Sequence, residues 1–540
     1  MRRAGIASVW YAGSVGVALV LVVGWAQARL TAQATATMVS TESAVTVTGG
    51  QIRGIASDGN PNIIAFKGVP FAAPPVGELR WRPPAPVVPW TGIRHAATNG
   101  SACPQRGPAP QNEDCLYLTV WAPRTAAKPL PVMVWIHGGG FRLGTGSSTD
   151  GAPLASKGVV LVTLNYRLGV FGFFAHPALS AESDRRASGN QGLQDMVAGL
   201  RWVRDNIASF GGDPKRVTIF GESAGAGAVM ALMLVPEAKG LFQRAIAESP
   251  YVHGWDRPLA TPARGWSPAE DVGRELGKAL GATGDNALAS MRAATTAAIM
   301  KVADEGPLFK WSGTVWAPNV DGWTIPADPI AMYTAGRQHD VPLIAGVNDN
   351  EGSLFRGRFN LRDVSAFESY VRTDFGPVAS QVLAHYGVKS TDAIAAGLDA
   401  LIHDMFFAGP ARLQMRAHTK VPSKAWLYHF AQVPPTAGGK SFGAHHAAEI
   451  PYVFGEMTST GETPWTEADR QVSNLMMGYW TQFAATGDPN RGGLPAWPAF
   501  DEGNDVYLTL APTPKRGTGL NRKGAALFDR FEAERRAASR

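Results

Sequence analysis

The sequence predicts an α/β fold in which a mostly parallel central sheet carries helices on both faces and long loop insertions. Three observations predict it. Short, continuous apolar runs at 130–136, 159–164, 217–220 and 341–345 are bounded by Gly, Pro or charged residues, as strands buried on both faces are. Helical stretches alternate with these runs, and no internal repeat interrupts them. The 540 residues, 45% apolar and 17% charged, permit a large core and exclude a disordered or fibrous chain.

The chain opens on Met1-Arg2-Arg3. An uncharged stretch at 4–27 follows, with an apolar run at 15–23 and small-residue sites at Ala26-Gln27-Ala28 and Ala32-Gln33-Ala34. That order reads as a secretory signal over 1–28, with cleavage as late as 34–36, and implies a periplasmic or secreted protein. The competing reading is an uncleaved anchor, since more than about 18 uncharged residues can span a bilayer. Gly and Ser within the stretch favour cleavage, so no stable membrane anchor is expected. Residues 40–540 are expected to form one domain.

Pro/Gly-dense segments at 69–89 and 105–111 read as long surface loops. Residues 192–207 read as a helix. Ser267-Pro268-Ala269-Glu270 opens another, with a capping box, Pro at its first position, and Val272, Leu276 and Leu280 on one apolar face.

The formal charge of +6 and a pI near 9.2 would suit an acidic partner. Their distribution argues otherwise. Residues 515–540 hold eight basic and three acidic side chains, whereas 29–514 sums to −1. That tail reads as a final helix packing Leu527, Phe528 and Phe531 with its arginines in solvent, and nucleic acid is not an expected partner. Two cysteines, Cys103 and Cys115, exclude a Cys-rich metal site.

The chemistry begins at Gly221-Glu222-Ser223-Ala224-Gly225. A G-x-S-x-G match alone is weak, but here the β-branched run 217–220 leads in and the helix-forming stretch 226–234 leads out. Strand, sharp turn and helix form a nucleophile elbow, in which glycines flank the serine because the turn leaves no room for a Cβ. Serine is a poor nucleophile at neutral pH, so a histidine base and an orienting carboxylate are required. Downstream candidates for the base are His253, His339, His385, His403, His418, His429, His445 and His446. The residues alone do not choose among them.

The run 210–225 resembles the serine signature of the type-B carboxylesterases, a family that includes the cholinesterases and adopts the α/β-hydrolase fold. Glu113-Asp114-Cys115-Leu116-Tyr117-Leu118 is similar to its second signature, with Thr119 where Asn is usual. Further matches lie at Asn165-Tyr166-Arg167, Gly192-Leu193-Gln194-Asp195, 348–352, 449–455 and 486–490, and the resemblance spans roughly 45–510. It implies an esterase with no metal or organic cofactor, acting on a small-molecule ester. By position it makes Ser223 the nucleophile, Glu351 the acid and His446 the base, with Asp349 and His445 as rivals. His137-Gly138-Gly139-Gly140-Phe141 would supply an oxyanion hole from the amides of Gly139, Gly140 and Ala224. No G-K-[ST] follows these glycines, which argues against a phosphate cradle. The resemblance also implies a Cys103–Cys115 disulfide, and a network of Ser249 and Glu449 behind His446.

Substrate selection follows from departures. The loop between the cysteines holds no aromatic residue, and Leu354 stands where cholinesterases place a cation-binding aromatic, so a choline ester is disfavoured. Arg142, directly after Phe141, would favour a carboxylate-bearing substrate; Arg106, Arg356 and Arg358 are weaker candidates. Leu354, Phe355 and Trp255 are expected to border the substrate, and by the resemblance Trp255 does so with Tyr251 and His253 on the side of the leaving acid. With the run 45–54, the chain also resembles the fumonisin esterases, exported bacterial carboxylesterases that release tricarballylate. Alternatives are a short-chain carboxylesterase, amide hydrolysis or lipase action on long acyl chains, and a catalytically silent adhesion protein, for which this fold has precedent.

Overall fold

Burial on both faces is what the apolar runs encode, and they form the centre of an 11-stranded sheet. The computed structural model describes residues 37–107, 111–252, 254–305, 315–457 and 463–537. The leader expected at 1–28 lies outside these residues, as does His253. The strands are β1 (Ile55–Ser57), β2 (Asn60–Pro70), β3 (Tyr117–Pro123), β4 (Leu130–Ile136), β5 (Val160–Leu164), β6 (Gly212–Glu222), β7 (Arg244–Glu248), β8 (Leu343–Asn348), β9 (Ala425–Phe430), β10 (Val506–Leu510) and β11 (Lys515–Thr518). Their spatial order is β11-β10-β9-β8-β7-β6-β4-β5-β3-β2-β1. The seven strands from β10 to β5 pair in parallel. Antiparallel pairing adds β3, β2 and β1 on one side and β11 on the other.

Side-chain alternation along each strand divides the core in two. On β4, Val132, Val134 and Ile136 pack with helices α1 (Gln191–Asn206) and α2 (Ala224–Leu232). Met133 and Trp135 face the other way, toward Tyr479, Trp480 and Phe483 of α3 (Glu467–Thr486). Helix α3 starts on a capping box in which Thr466 and Asp469 satisfy each other's amides. Among the described residues, no helix is long and apolar enough to cross a membrane.

Several expectations are corrected. The segment 69–89 is not all loop, because Val69 and Pro70 close β2. A bulge between Phe66 and Val69, with Gly68 at φ +64°, lets this Pro- and Gly-bearing strand pair inside the sheet. Ser267 does not cap the next helix, Ala269–Ala279, which starts from Pro268. The Ser267 carbonyl instead accepts from Arg257 at 3.1 Å, and Glu270 turns inward to accept from Ser180 Oγ at 2.6 Å. The arginines of the final helix, α4 (Arg522–Ala537), are not simply solvated. Arg535 meets Asp256 and Glu532 at 2.6 Å each, Arg536 meets Asp328 at 3.1 Å, and Arg522 meets Asp505 at 2.8 Å.

Parallel pairing brings the C-terminal ends of β4, β6, β7 and β8 to one edge of the sheet. There Gly221 pairs with Ile136, Glu222 with Glu248, and Glu248 with Gly346. Ligands of open α/β sheets bind outside this edge.

Candidate active site

Ser223 is the single residue between β6 and α2, and it sits at φ 56°, ψ −121°, a conformation few non-glycine residues adopt. Its flanking glycines are required by the end of β4. A Cβ on Gly221 would stand 2.5 Å from the Ile136 carbonyl oxygen, and one on Gly225 would stand 2.0 Å from it. The Ser223 amide donates to the Glu248 carbonyl at 2.9 Å, and its own carbonyl starts α2 by accepting from Gly227 at 2.8 Å.

Glu351 follows β8 by three residues and is fully buried. It accepts from His446 Nδ1, Ser249 Oγ and the Asn348 amide, each at 2.6 Å. Burial raises its pKa, but the charge and hydrogen bond of His446, aided by His403 and Ser249, outweigh that and leave the carboxyl below its usual range. The Nε2 of His446 lies 3.0 Å from Glu222 Oε1, so the imidazole stands between two carboxylates. Burial opposes its charge, yet Glu222 and Glu351 together hold it well above the ordinary imidazole range. The rings of Phe407 and Phe355 cover it at centroid distances of 4.4 and 5.0 Å.

The rival residues go elsewhere. Asp349 meets His429 at 3.2 Å, and His445 turns its Nδ1 to the His446 carbonyl at 2.7 Å. His403 does reach the acid, accepting the Glu351 amide at 3.4 Å. Glu449 accepts from Asn348, and Glu248 accepts from Trp480 Nε1 at 2.7 Å. These two buried carboxyls resist ionisation. Burial and the nearby Glu222 push Glu248 up to about 8, and burial with Glu222, Glu248 and Glu351 holds Glu449 well above its usual range.

The glycine loop leaves β4 across this site. Gly139 and Gly140 have φ of 100° and 64°, which glycine adopts without strain. Space is limiting too, since a Cβ on Gly138 would stand 2.6 Å from Glu222 Oε2. Behind the loop, the buried His137 ring stacks on Tyr166 at 4.4 Å, and Tyr166 Oη donates to the His137 carbonyl at 2.8 Å. Further along, the Gln105 amide clasps Gly144, donating to its carbonyl and accepting from its N–H, both at 2.8 Å. Gln105 belongs to the segment closed by the Cys103–Cys115 disulfide. Ala224 is the first residue of α2, where a helix presents unbonded amides.

A family profile described as the carboxylesterase family matches residues 41–527. The chain belongs to the carboxylesterase family. It is 36% identical to the fumonisin B1 esterase of Sphingopyxis macrogoltabida over 491 residues, 87% of each protein. It is 35% identical to the para-nitrobenzyl esterase of Bacillus subtilis (strain 168) over 494 residues, 87% of this chain and 95% of that one. A solved PNB esterase structure superposes with a TM-score of 0.78 at 32% identity, covering 90% of this chain and all of that one. The chain is thus a carboxylic ester hydrolase with the α/β-hydrolase fold.

Around the carboxylesterase's site, Arg142 is tied to the glycine loop through its amide, which donates to Gly139 at 3.1 Å, and its guanidinium meets Asp304 at 3.5 Å. Arg106 reaches the same aspartate at 3.6 Å. Arg356 pairs with Asp399 at 2.6 Å, whereas Arg358 stacks on Phe355 with its Cζ 5.4 Å from the ring centre. Leu354 and Leu143 are 41% and 43% exposed. Tyr251 stacks on Phe406 and lies tilted against Phe407, both at 6.2 Å. Trp255 is buried behind α2, where a Cβ on Gly227 would touch its ring at 2.7 Å. It lines a cavity of about 630 Å³ with Trp266, Phe406, Phe528 and Phe531, and neither Ser223 nor His446 borders that cavity.

Sequence reasoning missed Glu222, Gln105, Phe407 and the approach of His403 to Glu351. Glu222 lies inside the serine motif, and the side of the elbow it occupies follows from β6 ending at its position. Gln105 and Phe407 give no sequence signal, because their partners are distant in the chain.

Proposed function

We propose that this carboxylesterase is an exported serine esterase working through an acyl-enzyme. His446 takes the proton of Ser223 Oγ as that oxygen attacks the ester carbonyl. Glu351 holds the resulting imidazolium, and the amides of Gly139, Gly140 and Ala224 receive the oxyanion. Collapse expels the alcohol with the proton from His446. Water, deprotonated by the same histidine, then releases the acid and frees Ser223.

The observation that carries this reading is the Glu351–His446 pair beside the strained Ser223 elbow. A leader over residues 1–28, with cleavage as late as 34–36, would export the catalytic domain at 40–540 to the periplasm or medium, where the Cys103–Cys115 bridge is favoured. Arg142 beside the glycine loop supports an ester of a polycarboxylic acid such as tricarballylate. The exposed Leu143 and Leu354 favour a second reading, neutral short-chain or lipid esters. With Ser223, Glu351, His446 and the glycine loop all present, a silent adhesion role is disfavoured.

The test is Ser223→Ala. Hydrolysis of p-nitrophenyl acetate should fall by on the order of 10⁵-fold with an unaltered circular dichroism spectrum. A fluorophosphonate should label Ser223 in the parent protein. Substantial turnover by the variant, or labelling at another residue, would refute the assignment.

A further inference from the structure

We infer that His403 is a positioning residue for the acid–base pair: from one π-helical turn, His403 secures the backbone of Glu351 while Phe407 covers the His446 ring. This rests on the reading of Ser223, Glu351 and His446 as the triad of an esterase.

The Glu351 carboxylate is met by Ser249, the Asn348 amide and His446. Its aim depends on the backbone that carries it, and each amide of that loop is held by a different element. The Asp349 amide donates to Phe430 of β9 at 2.9 Å, and the Asn350 amide to Ala444 at 3.0 Å. The Glu351 amide donates to His403 Nδ1, at 3.4 Å. Both residues are buried, and a buried N–H that loses its acceptor is costly. The loop also lies tight against the helix Ile394–Ile402, which runs into the turn: a Cβ on Gly352 would stand 2.0 Å from the Asp399 carbonyl oxygen.

The turn itself, His403–Ala408, has the widened π-helical form, with the Gly409 amide bonded to the Asp404 carbonyl five residues back. Such turns interrupt regular helices and are frequent at functional sites. Here His403 and Phe407, one turn apart, serve the two members of the pair, Nδ1 meeting the Glu351 amide and the Phe407 ring lying 4.4 Å from His446. Asp404 fastens the turn from its other side, accepting from Tyr386 Oη at 3.1 Å and from Asn521 Nδ2 at 3.0 Å. An imidazole that accepts at Nδ1 carries its proton on Nε2, and Nε2 of His403 has no hydrogen-bond partner among the described residues. Among those residues, the ring's hydrogen bond is therefore the one to the backbone of the acid.

The test compares His403→Leu, which keeps bulk and removes the acceptor, with His403→Asn, whose Oδ1 can accept in place of Nδ1. On p-nitrophenyl acetate, at a temperature where both variants are fully folded, kcat of His403→Leu should fall about tenfold or more while KM stays within about twofold of the parent. Fluorophosphonate labelling of Ser223 should slow in step, because it needs the activated serine. His403→Asn should recover kcat to within about threefold of the parent. A purely structural role would make the losses follow the melting temperatures instead of the acceptor. An unchanged kcat in His403→Leu, or an Asn variant as slow as the Leu variant, would overturn the assignment. Glu351→Gln separates the two ideas: turnover undiminished by that change sinks the triad reading, whereas Glu351-dependent turnover that is indifferent to His403 sinks the positioning role alone. If melting curves show that His403→Leu misfolds, His403→Ala against His403→Asn carries the test.

Discussion

His446 occupies an unusual electrostatic position, since both of its nitrogens face carboxylates, Glu351 at 2.6 Å and Glu222 at 3.0 Å. A base must be neutral to accept the serine proton, and both carboxylates favour the charged form. The pH below which activity is lost should therefore lie above the ordinary imidazole range. Glu222→Gln removes one of the two negative charges, so His446 should deprotonate at lower pH. The acid limb of the kcat/KM profile for p-nitrophenyl acetate should move down accordingly; a limb that stays put or moves up would show that Glu222 does not set it. Sequence legibility at this scale is uneven. The Ser223 elbow is legible because strand, glycines and helix are contiguous. Eight downstream histidines look alike in the sequence, and His446 is singled out only through the spacing to Glu449 that the family resemblance supplies. The Glu222 contact joins a residue of the serine motif to one more than two hundred positions away, which no local pattern encodes.

Elements differ in legibility for a physical reason. Strands β4, β5, β6 and β8 stand out because parallel strands covered on both faces are continuous apolar runs, while β2 is hidden by the glycine and prolines that its bulge and ends accommodate. The disulfide segment shows how an element can serve a site it does not enter. Closure of Cys103 to Cys115 confines Gln105, and Gln105 clasps Gly144 at the far end of the glycine loop. Losing the bridge should cost about 3 kcal/mol through the unfolded chain's regained freedom. Gln105→Ala should instead leave a loop amide and carbonyl unpaired and let the glycine loop drift, lowering kcat more than it raises KM. Kinetics and denaturant melts of Cys103→Ser/Cys115→Ser and Gln105→Ala separate the effects. Equal losses of kcat and stability in both variants would mean that the clasp has no role in placing the loop.

At the scale of the molecule, the net charge of +6 is a property of its end rather than of its body. The sequence locates that charge but not its use, because the acids that receive it are spread over some 250 residues. Helix α4 lays Phe528 against the backbone of Gly409, where an added Cβ would stand 2.5 Å from the ring, and seats Arg535 and Arg536 on Asp256 and Asp328. Asp256 and Phe528 also line the cavity that Trp255 borders, so the helix closes one wall of the region behind α2. Truncation before Arg522 removes both contributions and leaves Asp256 and Asp328 without the cations of this helix. Breaking a buried ion pair from one side costs about 3–5 kcal/mol, and truncating a buried phenylalanine costs a similar amount. Phe528→Ala should therefore lower the denaturation midpoint measurably, and the truncated chain should melt lower still and bind a hydrophobic dye before the main transition. Esterase activity surviving the truncation with an unchanged midpoint would show that α4 is an appendage; a cooperative loss of both would make it a structural wall of the enzyme.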